Sequence, residues 1–112
     1  MIVREITLLD DLIAHSNNYY PDRIKFCIHK PTKTLSIDLF YHIDMEYELI
    51  DEVGTEKDIY GGDILLDPVE ILWEAHPNIQ RNIEMGTSQN GRTLKDQSII
   101  DELNDILKYW IR

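Results

Sequence analysis

His42, Asp44 and Glu46 follow one another at alternate positions near the middle of the chain. Imidazole and carboxylate groups hold divalent cations and also serve as general acids and bases. On an extended chain adjacent members sit about 6.6 Å apart, so two neighbours could hold one ion. His42 and Glu46, about 13 Å apart on such a chain, need a donor from a partner strand. Glu52 or Asp63 could supply it, which makes His42, Asp44, Glu46 and Glu52 the candidate metal ligands. Arg92 could then orient an anionic substrate through its forked guanidinium, giving a candidate catalytic group of His42, Asp44, Glu46 and Arg92. The competing reading, preferred on these grounds, is a solvated acidic sheet face with Arg92 paired to a sheet carboxylate. Cys27 beside His29 or His42 could form a nucleophile and base, but a lone cysteine on a strand with no activating helix end is ordinarily inert. Trp73 and Trp110 read as core or interface residues. The sequence contains no phosphate-binding glycine loop, nucleophile elbow, zinc-protease helix or EF-hand loop.

The element that must position the trio is the stretch 35–49. Its odd positions are all apolar (Leu35, Ile37, Leu39, Tyr41, Ile43, Met45, Tyr47, Leu49), and its even positions are polar except Phe40. A period of two predicts extended chain with one buried and one wet face. Fifteen residues would span roughly 50 Å, too long for one straight strand in a small domain, so a bend is expected at 45–48. Residues 23–29 alternate as well, and Lys30-Pro31-Thr32-Lys33 is a turn signal, so the two stretches should form a hairpin. Pairs summing to 63 or to 65 both set Ile24, Phe26 and Ile28 against odd-numbered apolar residues. Either register places Arg23, Lys25 and Cys27 on the wet face with Asp38 and His42.

Around this hairpin, residues 2–6 read as a strand and Thr7 as the cap of a short helix carrying Leu8, Leu9, Leu12 and Ile13. Gly54 marks a turn, and 59–66 reads as a strand in which Gly61-Gly62 signals a bulge or a close backbone approach. The segment 67–75 fits either a helix capped by Asp67 with Pro68 at its first position, or a strand alternating Val69, Ile71, Trp73 and Ala75. Residues 78–85 read as a strand, 86–92 as a polar loop, and the segment after Asp96 as a helix through Ile99, Leu103, Ile106 and Trp110. The expected fold is one α+β domain over 1–112, an antiparallel sheet with a short N-terminal helix and a C-terminal helix packed on one face.

The chain has 112 residues, 43% of them apolar, and a net charge of -10. Between Asp38 and Ala75 twelve acids face Lys57 alone, while the remainder holds nine acids against ten Lys or Arg. A field of that sign repels nucleic acid and anionic lipid and favours a basic protein surface or cations. The single cysteine excludes an intrachain disulfide. The first residues lack the pattern of a secretory leader, and no apolar run approaches a membrane span, so a cytoplasmic location is expected. The leading functional expectation is an acidic interaction or regulatory module that recognises a basic partner and needs no cofactor, with self-association through an exposed strand edge a related outcome. The alternative is a small hydrolase-like enzyme dependent on a divalent metal.

Four stretches carry a resemblance: His42-Ile43-Asp44-Met45-Glu46, Glu52-Val53-Gly54-Thr55, Asp58-Ile59-Tyr60-Gly61 and Ser88-Gln89-Asn90-Gly91-Arg92. In this order the chain resembles a family of small uncharacterised bacterial and archaeal proteins, a domain of unknown function with a His-x-Asp-x-Glu stretch, a Gly-Ser followed by an aromatic-Gly, and a Ser-Gln-Gly-Asn-Arg loop before a closing helix. The Asn and Gly of that loop are exchanged here, and 67–77 is an insertion relative to the family. The resemblance implies a fold and its bounds but no activity.

Overall fold

Ile24, Phe26 and Ile28 build the strand from which the rest of the molecule is organised. A computed structural model describes residues 1–84 and 91–112 and places these three residues in β1 (Arg23–His29). β2 (Thr34–Ile37), β3 (Ile59–Leu66) and β4 (Val69–Leu72) complete one antiparallel sheet in the order β2-β1-β3-β4. The hairpin adopts the register summing to 63, with Phe26 opposite Ile37 and Ile28 opposite Leu35, so the parity argument holds. Of the two options open for the segment after Pro68, the strand is realised.

One sheet face is covered as expected. Leu12 of α1 (Leu9–Ala14) and Ile99, Leu103, Ile106 and Leu107 of α4 (Gln97–Trp110) pack on Ile24, Phe26, Ile28, Leu35, Ile37 and Ile64. Asp96 caps α4 by accepting from the backbone of Ser98 at 3.0 Å and of Ile99 at 3.2 Å. The strand expected at 2–6 shrinks to an isolated bridge between Ile2 and Ser36, with Val3 N–H donating to Leu35 O and Ile37 N–H to Met1 O. Beyond it Arg4, Glu5 and Ile6 are exposed. Leu8, in extended conformation, occupies the cap position of α1, and Thr7 Oγ1 bonds Glu5 O instead.

The other face departs from expectation. Residues 42–53 are α2 (His42–Val53), not the second half of a strand. The extended chain stops at Asp38, whose φ of 64° leaves the β region. Met45 and Leu49, fully buried, are four apart, a spacing shared by the periods of strand and helix. The helix wins because no neighbouring strand is long enough to pair a fifteen-residue partner, and because its ends are capped. Asp44 accepts from Tyr41 N–H at 3.0 Å, and Gly54, at φ 78°, closes the C-terminus by donating to Ile50 O at 2.8 Å. α2 lies over the face expected to be wet, so Cys27 and Ser36 have no exposure, and Cys27, Met45, Leu49 and Ile59 form a second core cluster. The sheet is therefore a middle layer between α1 with α4 and α2.

A second correction has the same cause. The strand expected at 78–85 is the helix α3 (Asn78–Glu84), since Ile79 and Ile83 are also four apart. Met85 and residues 86–90 of the polar loop lie outside the described residues. Gly61 and Gly62 mark a close approach: a Cβ on Gly62 would stand 2.5 Å from Leu72 O and 2.9 Å from Phe26 Cζ. Among the described residues no helix is long and apolar enough to cross a membrane.

Candidate functional site

β1 projects Arg23 and Lys25 to the α2 side of the sheet, and the register sets Lys25 beside Asp63 of β3, which is opposite Leu72 of β4. The first turn of α2 brings His42 over this point. Past β4 the chain runs through Glu74 and His76, and Arg92 comes alongside because Ala75 N–H donates to Arg92 O and Leu94 N–H to Trp73 O. Together these side chains and Tyr41 line a cleft of about 480 Å³.

Two buried amides of α3 hold the Arg92 segment. Asn82 donates to Gly91 O at 2.5 Å and to Thr93 O at 2.6 Å. Asn78 donates to Arg92 O at 3.2 Å and Trp73 O at 3.3 Å, while its Oδ1 accepts from Gly61 N–H and its Nδ2 donates to Gly61 O, both at 2.9 Å. β4 pairs with β3 only as far as Leu72 opposite Asp63, and the Asn78 amide serves Gly61 two residues beyond, where the ladder has ended.

Asp63 is 3% exposed. Its Oδ2 accepts from Arg23 Nη1 at 3.1 Å, and its Oδ1 lies 3.1 Å from His42 Nε2. That nitrogen is 2.8 Å from Gly62 O. A carbonyl can only accept, so Nε2 carries a proton, and its alignment on Gly62 leaves Asp63 Oδ1 near the ring without an aligned hydrogen bond. Asp22, hydrogen-bonded to Arg23 at 3.1 Å, is the main cause of that guanidinium's raised pKa, with Asp63 adding to it. Burial raises the pKa of Glu46, against the opposing pull of His76. Burial likewise lifts the Cys27 thiol well above its ordinary range, helped by Glu46 and Asp63, and the thiol donates to His42 O at 3.4 Å. The Cys27 sulfur thus meets the backbone of His42, not its ring.

The helix regroups the residues expected to act. His42 and Glu46, one turn apart, share a side of α2 at the about 5–6 Å spacing of such neighbours, where a strand would have parted them. Asp44 projects elsewhere and caps the helix. Glu52, about 15 Å along the helix from His42, binds exposed Arg4 at 2.9 and 3.1 Å. Among the described residues no three His, Cys, Asp or Glu side chains are grouped to hold a metal ion. His42, Asp63 and Arg92 do meet around one cleft. Arg23, Lys25, His76, Asn78 and Asn82 were not singled out from sequence for this site. The four-residue spacing of the two asparagines was the available signal for their shared helix face.

Chemically the cleft offers cationic nitrogens for an anionic group and an oriented imidazole beside a buried carboxylate. No family model, curated protein or solved structure matches the chain.

Proposed function

We propose that the protein is a small-ligand-binding domain whose cleft takes an anionic group between Lys25, Arg92 and His42. The observation that carries this reading is a local reversal of charge. Three Lys or Arg and two imidazoles line the cleft against Asp63 and Glu74, in a chain with 11 Lys and Arg against 21 acids. Asp63 is matched by Arg23, and over the rest of the wall Lys25, Arg92 and the two imidazoles stand against Glu74. With a Debye length of about 8 Å at physiological ionic strength, a small anion in the cleft responds to these groups more than to distant acids. A polyanion would meet the net charge of -10. The volume of about 480 Å³ suits a small molecule.

Titration with inorganic phosphate and with succinate, followed by backbone amide NMR, tests the reading. Shifts should centre on residues 23–25, 41–43 and 91–93. Arg92→Ala and Lys25→Ala should each weaken binding roughly tenfold or more, the worth of a charge-assisted hydrogen bond. Unmoved cleft resonances at millimolar anion would refute it.

The outer side of α2 supports a second reading. Asp51 is exposed there one turn from Tyr47, which is 59% exposed. Such a face suits a basic protein partner held by charge, and that association should weaken with salt and with Asp51→Lys. A complex indifferent to both changes would count against it.

A further inference from the structure

The connection between β2 and α2 carries a ridge of aromatic rings that the sheet and helices do not use. Phe40 is 43% exposed, Tyr41 56% and Tyr19 45%. Phe40 sits at the centre, edge-on to Tyr19 at 5.5 Å and to Tyr41 at 4.5 Å, and stacked on Tyr20 at 5.7 Å. Tyr20 Oη donates to Phe40 O at 2.7 Å, which ties the ring to the connection's backbone. Rings held against one another in this way form a surface that loses little conformational freedom when a ligand arrives.

This ridge is continuous with the cleft. Tyr41 belongs to both, as one of the ridge rings and as a cleft wall beside His42. Lys25, also in the cleft, holds its ammonium 4.4 Å from the centre of the Tyr20 ring. Cationic nitrogens thus stand next to an exposed, pre-arranged aromatic face, and a ligand seated on the cations would have Tyr41 beside it.

From this juxtaposition we propose that the ligand is an aromatic phosphate monoester: a dianionic phosphate among Lys25, Arg92 and His42, and an aryl or heteroaryl ring against Tyr41 and the ridge behind it. This inference rests on the anion-binding reading above and adds the ring. The cleft volume accommodates a molecule up to about the size of a nucleoside monophosphate. A ring stacked on an exposed aromatic side chain contributes roughly tenfold or more in affinity, whatever the identity of the ring.

Calorimetric titration of the full chain with inorganic phosphate, ribose 5-phosphate and phenyl phosphate separates the two contributions. The two esters present the same phosphate and differ in the ring. Phenyl phosphate should bind roughly tenfold more tightly than ribose 5-phosphate. Tyr41→Ala should bring that ratio to about one, and Tyr41→Phe should restore it, because stacking needs the ring and not the hydroxyl. Equal affinities of the two esters for the wild-type chain would overturn the inference while leaving the anion reading standing. Binding of none of the three would overturn both. A preference for phenyl phosphate that survives Tyr41→Ala would also overturn it, since the ring would then lie elsewhere.

Discussion

Replacing Asn78 by alanine tests how the cleft is held together. Asn78 has no exposure, and its amide serves four backbone groups. Trp73 O and Arg92 O keep a second donor each, from Leu94 N–H and Ala75 N–H, so their loss is partial. Gly61 is the serious case, because its N–H and C=O both rely on the amide at the point where β4 has ended. A buried donor left without a partner costs about 1–3 kcal/mol, and a lost neutral hydrogen bond about 0.5–1.5 kcal/mol. For one orphaned N–H and the weakened acceptors the sum is about 3 kcal/mol, a large fraction of the about 5–15 kcal/mol that holds a domain. Urea unfolding followed by circular dichroism measures it, and a loss below about 1 kcal/mol would refute the reasoning. Asn78→Asp supplies a control with a defined pH signature. It keeps the acceptor for Gly61 N–H but turns the donating end into an oxygen facing three carbonyls, which raises the carboxyl pKa in the folded state. A raised folded pKa means that stability is intact below the unfolded value of about 3.9 and is lost as pH rises through the folded one. Relative to Asn78→Ala, Asn78→Asp should therefore improve as the solution is acidified. A pH-independent difference between the two variants would show that the amide's donors do not face those carbonyls.

Other predictions follow from the same contacts. Cys27, buried and held as the thiol, should not react with an aromatic disulfide reagent in the native protein and should react fully in denaturant; prompt native reaction would contradict its placement. His29 is 4% exposed, bonds Thr32 Oγ1 at 2.7 Å, and has its pKa lowered by burial against the pull of Asp58. Because the unfolded chain takes up that proton first, near pH 6.5, stability should decline on acidification below about 6.5 until the folded His29 also protonates, with a slope of at most about 1.4 kcal/mol per pH unit that His29→Gln removes. Burial raises the Glu46 pKa, so its contribution is present below about pH 4.5 and is lost as pH rises through the folded value; Glu46→Gln should stabilise the protein at pH 7 and change little at pH 4. With Asp44 turned to the helix cap, Glu52 bound to Arg4 and no third donor grouped with His42 and Glu46 among the described residues, Mg, Ca, Mn or Zn at tenfold excess should leave the thermal midpoint where a chelator leaves it, and a clear upward shift would show a metal site assembled from these residues.

Where a segment supports only one period, its structure was legible from sequence. α4 has apolar residues at three- and four-residue steps, from Ile99 through Leu103 and Ile106, which no strand accommodates on one face, and Asp96 announces its start. The β1–β2 hairpin was legible to its register, because only pairings of one parity bury Phe26 with Ile37. α2 was misread because alternation and helical spacing coincide every four residues. Met45 and Leu49 satisfy both, while Tyr41 and Tyr47, which completed the alternation, are exposed. The deciding signals were local: Gly54 as a helix terminator and Asp44 three residues after Tyr41. Asn78 and Asn82 were hidden for a different reason. Polar residues at helical spacing predict a solvated face, yet here both are buried because they complete hydrogen bonds that two irregular backbone segments would otherwise lack.

The conversion of 42–53 from strand to helix also changes what the chain can do. On a strand, His42, Asp44 and Glu46 would form one acidic, wet row continuing from Asp38, on the face that also carries Arg23 and Lys25. As a helix the same segment packs over Cys27 and starts with His42 beside Asp63, so Arg23 and Lys25 become walls of a recess instead of solvated partners. Asp63 lies beneath them, buried and matched by Arg23, with its Oδ1 3.1 Å from His42 Nε2, while Gly62 O holds that ring at 2.8 Å. Most acids of the middle third remain outside, on the outward side of α2 and in the segments that flank it. The excess negative charge and the cationic cleft are thus two sides of one arrangement. On the anion-binding proposal, the exterior repels polyanions while a small anion in the recess lies within about a Debye length of Arg92 and Lys25.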